Sequence, residues 1–125
     1  MIGSFVLELE EKTVPYDRFR KHGTTLIKFK TIEPNIFRVQ NIIAIENPHS
    51  AVATVRFLCQ LADRHKVIIT GMAQPALVGP SITKNNKFFV GLDKKRLVKF
   101  YEKYGFESSE SDGKITVTRR PKNED

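Results

Sequence analysis

Cysteine occurs once, at position 59. A lone thiol cannot close an internal disulfide, so the sequence suits a reducing compartment and points to the cytoplasm. No apolar run approaches the ~20 residues that a membrane span needs. The opening stretch MIGSFVLELEEK has no basic segment and is too acidic for a secretory signal. P-loop, G-x-S-x-G and C-x-x-C motifs are all absent. His22, His49 and His65 show no metal-ligand spacing with Cys59 or with a carboxylate. There is no internal repeat and no low-complexity region. A disulfide scaffold, a membrane span, a P-loop nucleotidase and a zinc site are thereby set aside. Cys59 reads as a packed core thiol and His65 as a partner for a helix C-terminus.

The chain has 125 residues, 40% hydrophobic and 28% charged, which suits one folded domain over residues 1–120 and a polar tail over 121–125. Lys and Arg total 21 against 14 Asp and Glu, for a net charge of +7. The excess is concentrated between Lys84 and Tyr104, where seven cations face two anions. Lys84, Lys87, Lys95, Lys99 and Lys103 form a patch suited to an anionic partner, either the phosphates of a cofactor or nucleic acid. Phe88 and Phe89 lie close by in sequence and could stack bases.

In chain order, Phe5, Leu7 and Leu9 alternate with Val6, Glu8 and Glu10, the pattern of a half-buried strand. Residues 13–23 read as a loop with one helical turn around Tyr16 to Arg20. Thr24 to Ile32 alternates, with Ile27 and Phe29 on one face and Lys28 and Lys30 on the other. Glu33-Pro34-Asn35 is a turn. Ile36 to Glu46 is the longest strand expected. Asn47-Pro48 then opens a helix to about His65, because Asn caps well and Pro is favoured in the first helical position. Lys66 to Thr70 is a short apolar strand. Strand, helix and strand make a βαβ unit, whose two strands should be parallel. Residues 71–91 are irregular. A helix from about Asp93 ends near Gly105, with Leu97, Tyr101 and Tyr104 on one face. Asp112-Gly113 between strand-like runs signals a terminal hairpin. The fold class expected is therefore α/β (α+β): a central mixed sheet with a βαβ unit, a second helix and a C-terminal β-hairpin.

The turn from strand to helix has its own chemistry. The first turn of a helix has free backbone N–H groups and the positive end of the dipole, and phosphates bind there. His49-Ser50-Ala51-Val52-Ala53 supplies small residues that allow close approach of a pyrophosphate.

The helix near the C-terminus adds a motif. Phe100, Tyr101, Glu102, Lys103, Gly105 and Phe106 follow the order aromatic-Tyr-Glu-Lys-x-Gly-Phe. This resembles the late helix of the GNAT superfamily, the acyl-CoA-dependent N-acyltransferases. Lys94 and Leu97 stand where that family usually has Asn and Ala. The succession of strand, pyrophosphate helix, parallel strand, Tyr-bearing helix and hairpin is similar to the family's C-terminal half and covers about Ile36 to Arg119. The family's N-terminal half, a strand, two helices and further strands, would be shortened here, with the helical pair reduced to the segment around Tyr16. The glycines of the family's pyrophosphate loop are absent. Ala51 and Ala53 fit their positions with Ser50 near the usual Arg, and a shifted register places His49 and Ala51 there instead.

The resemblance implies transfer of an acyl group from acetyl-CoA, or another acyl-CoA, to a primary amine of a small molecule, protein or nucleic-acid base. Tyr101 would then protonate the leaving thiolate. Ala44, Ile45, Ser50, Ala51, Val52, Ala53 and Thr54 would hold the cofactor. Glu46 at the strand end and His49 in the first helical turn are candidates to accept the amine proton. Partners would be the CoA thioester and an unidentified amine, with no membrane, and a second copy could complete the acceptor site. A basic nucleic-acid-binding module, or a protein of this fold without catalysis, is the alternative.

Overall fold

The computed structural model describes residues 2–44, 48–72 and 94–122; the side chains of residues 44, 48–50 and 94–97 lie outside that description. The order of elements is α1 (Ile2–Lys12), β1 (Val14–Tyr16), β2 (Phe19–His22), β3 (Thr25–Ile32), β4 (Ile36–Ala44), α2 (Pro48–His65), β5 (Ile68–Met72), α3 (Lys94–Lys103), β6 (Glu107–Ser111) and β7 (Lys114–Arg119). The strands form one mixed sheet in the order β1-β2-β3-β4-β5-β7-β6. Only β4 and β5 pair in parallel among the described strands. The molecule is thus α+β, and the expected βαβ unit, second helix and terminal hairpin are present.

The first element corrects the sequence reading. Residues 2–12 are a helix and not a strand. Ile2, Phe5 and Leu9 are buried at i, i+3 and i+7, whereas Leu7 is 66% exposed. The apparent alternation came from one leucine that points to water. Leu, Glu and Lys favour the helix, and Lys12 Nζ reaches back 2.7 Å to Glu8 Oε2 across one turn. Residues 13–23 are a second correction. They are the hairpin β1–β2, turned by Asp17 at φ 53°, with no helical turn around Tyr16. Arg20 joins that hairpin to the helix. Its Nε donates to Thr13 Oγ1 at 3.0 Å, and its Nη2 donates to the carbonyls of Glu10 and Thr13, each at 3.0 Å. These are carbonyls that the end of α1 would otherwise leave unpaired.

Both later helices end as their sequences require. Val67 N–H bonds to Ala62 O at 2.9 Å around Lys66 at φ 56°. At the end of α3, Phe106 N–H bonds to Tyr101 O at 3.2 Å and Gly105 N–H to Glu102 O at 3.1 Å. With Gly105 at φ 94° and the Phe106 ring 5.2 Å from that of Tyr101, this is a complete Schellman closure with its apolar contact. The strand expected over Lys66 to Thr70 is shifted to Ile68–Met72, because Lys66 and Val67 are taken up in ending α2.

Cross-strand register divides the sheet into two faces. Ile27, Phe37, Ile69 and Val117 share one face and a core cluster with the buried residues of α1 and α2, and Phe29, Val39, Ile42 and the half-buried Val98, Phe100 and Tyr101 of α3 pack against it. Phe37 anchors it, with the rings of Phe5 and Phe29 each 4.7 Å away. The alternate residues of the same strands form the second face. At the closed end of the sheet, Ile68 N–H donates to Asn35 O at 2.8 Å and Ile2 N–H to Pro34 O at 3.1 Å.

Candidate functional site

The parallel ladder of β4 and β5 is short. It runs from Ile36↔Ile68 to Val39↔Gly71, whereas β4 continues beside β3 as far as Thr25↔Ala44. The parting coincides with an irregularity. Lys28 pairs with Asn41 and Phe29 with Val39, so Gln40 is an extra residue on β4. Such a bulge bends its strand and takes backbone groups out of the ladder. Gly71 closes the last rung. A Cβ there would stand 3.1 Å from Val39 O, a tight contact that the absence of a side chain relieves. Past that rung, among the described residues, β4 has no strand partner on its β5 side.

The helix α2 begins four residues after β4 ends, so its first turn lies over the same end of the sheet. The side chains there divide. Ala51 and Thr54 are buried, Val52 is half-buried and Ala53 is exposed. Thr54 is already engaged, with its Oγ1 2.8 Å from His22 Nδ1. The side chains of Ala51 and Thr54 therefore face the interior, and none of the described side chains at 51–54 presents a free polar group.

His22 was not singled out by its sequence setting. It lies in one row with Thr25 and Ala44 across β2, β3 and β4, at the sheet end where α2 starts. Its ring stacks on Phe57 at 4.4 Å with 10° between the planes. Burial lowers its pKa below the ordinary imidazole value, so it is chiefly neutral at pH 7. The only advance signal was position: a histidine immediately before a Gly-containing turn, in a segment mistaken for a loop.

Tyr101 is half-buried between the rings of Phe100, 5.5 Å away, and Phe106. Burial raises its pKa, so the phenol keeps its proton at neutral pH. Arg119 Nε donates to Tyr104 O at 2.9 Å and Arg119 pairs with Ile69, so the end of α3 sits on the core face of the sheet beside β7. Among the described strands α3 packs chiefly against β6, at the edge of the sheet.

The other candidates separate. Ile45, Glu46, Lys84 and Lys87 lie outside the described residues, as do the side chains of Ala44, His49, Ser50 and Lys95. Lys99 and Lys103 are exposed on α3. Cys59 is buried, and that burial pushes its thiol up to about 11, which leaves it inert. No group of His, Cys, Asp and Glu able to hold a metal occurs among the described residues. No described helix is long and apolar enough to cross a membrane. Comparison of the chain with protein-family models, curated proteins and solved structures returns no match.

Proposed function

We propose that the chain binds acetyl-CoA, or another acyl-CoA, where β4 and β5 part, and transfers its acyl group to a primary amine. The observation that carries this reading is the ladder that stops at Val39↔Gly71 while β4 runs on to Ala44 and feeds α2. A strand edge suits the amide-bearing pantetheine arm, which can pair with it as an added strand would. A helix start beside it suits the pyrophosphate. The succession β4, α2, β5, α3 and β6–β7 also supports the likeness to GNAT acyltransferases. The N-terminal half departs from that family: α1 precedes three antiparallel strands, and the segment around Tyr16 is a strand. The bound thioester would supply the activated acyl group. Tyr101, protonated at neutral pH, would give its proton to the departing sulfur. His22, neutral and at the same end of the sheet as the helix start, joins Glu46 and His49 as a candidate to take the proton of the amine.

Tyr101→Phe tests the assignment. Turnover measured as thiol release should fall ~10²–10⁴-fold, the usual contribution of a positioned proton donor, while acetyl-CoA affinity stays unchanged. Equal turnover in the variant removes Tyr101 from the mechanism.

A further inference from the structure

On the sheet face opposite the helices every charged residue of β1 to β5 is a cation; Glu107 of β6 shares that face, and Leu26 and Ile43 on it are buried. Register puts Tyr16, Phe19, Lys21, Lys28, Lys30 and Arg38 on it, because each pairs with or alternates from a residue on that face. The strands β1 to β5 contain no Asp or Glu. Lys30 and Arg38 are directly opposite one another, and both are exposed. Like charges opposed across an antiparallel pair repel, so the fold holds this arrangement at a cost. An anion lying across the two strands relieves it. Lys28 is one step along β3 from Lys30, about 7 Å by strand rise, which extends the charge into a track. At the sheet edge, the Tyr16 ring is 46% exposed and opposite Phe19, and Lys21 Nζ stands 5.8 Å from the Tyr16 centroid.

We propose that this face binds single-stranded nucleic acid. Lys28, Lys30 and Arg38 would take phosphates, and Tyr16 with Phe19 would stack bases. A cationic track beside an exposed Tyr16 and a half-buried Phe19 offers what an unpaired strand requires: phosphate contacts for affinity, π-faces for the bases. An acidic peptide would use the charge and leave the rings without a role. A duplex presents its bases already stacked. This surface lies on the side of the sheet away from α3, so it is separate from Lys99 and Lys103.

The test is anisotropy of labelled oligo-dT and oligo-U across a salt series, with wild-type protein and three variants. Lys30→Glu/Arg38→Glu should weaken binding at least about tenfold, and Lys30→Gln/Arg38→Gln should flatten the slope of log K against log salt by about 1.4, at 0.7 per phosphate contact. The Gln variant should also melt no lower than wild type, since it removes a repulsion, and this separates lost contacts from lost fold. Lys99→Glu/Lys103→Glu should bind as wild type. The proposal is overturned if neither oligonucleotide binds, if the α3 variant loses binding while the sheet variants keep it, or if polyglutamate or anionic phosphatidylserine vesicles bind as tightly as the oligonucleotides.

Discussion

Arg119 is only 3% exposed, and a guanidinium at that depth must be compensated at each nitrogen. Nη1 and Nη2 donate to the two carboxylate oxygens of Asp63 at 2.8 and 3.0 Å, and Nε donates to Tyr104 O. One side chain therefore joins the ends of α2, α3 and β7. Burial acts to raise the pKa of Asp63, but the Arg119 hydrogen bond and the Lys122 amide outweigh it and hold the carboxyl below its usual value. Asp63→Asn leaves the guanidinium without its counter-charge and should cost about 3 kcal/mol in urea unfolding. A loss under 1 kcal/mol would mean that the pair is solvated. Glu8 plays the matching role for α1. Lys12, His65 and Arg64 all contact its carboxylate, and the bonds from Lys12 and then His65 do most to lower its pKa from 4.5 to about 2. Its contribution is complete above pH 4.5 and is lost as pH falls towards 2, because the unfolded chain takes up the proton first. His22 acts earlier on the scale. Its folded pKa is below 6.5, so the unfolded state binds the proton more readily and stability falls as pH drops below about 6.5. Urea midpoints against pH should show both declines, with Glu8→Gln removing the acid one and His22→Gln the one near neutrality.

The element scale explains what the sequence could and could not reveal. The βαβ unit was legible because Asn47-Pro48 marks a helix start and a long apolar run precedes it. The terminal hairpin was legible because Asp112 and Gly113, at φ 53° and 75°, have the residue types that a type I′ turn demands. The helix α1 was misread because eleven residues hold few apolar positions, and exposed Leu7 completed a false period of two. Only packing against Phe37 and the α2 stripe decides which leucine turns inward. The parting of β4 and β5 was likewise hidden: a bulge at Gln40 is set by pairing register across three strands, which no local pattern encodes. Two substitutions separate helix from strand. Leu7→Lys should change stability by about 0.5 kcal/mol or less, and Leu9→Ala should cost about 2–5 kcal/mol. Equal losses at both positions would restore the strand.

At the scale of the whole molecule, the two faces of the sheet differ in character. The core face collects α1, α2 and α3 over one apolar cluster; at the end where β4 and β5 separate lies the start of α2, and among the described residues β4 has no further partner on that side. On the second face the charged residues of β1 to β5 are all cations, and Glu107 of β6 shares that face. Sequence composition showed the excess of positive charge but assigned it to the segment before and within α3, because counting along the chain cannot register which residues meet across strands. Amide chemical-shift mapping of the ¹⁵N-labelled protein during an acetyl-CoA titration tests most directly the proposal that an acyl-CoA binds where β4 and β5 part. Saturable shifts should centre on Gln40, Asn41, Gly71 and the amides of residues 51–53. Shifts confined to Lys99 and Lys103, or a spectrum unchanged at millimolar acetyl-CoA, would contradict it.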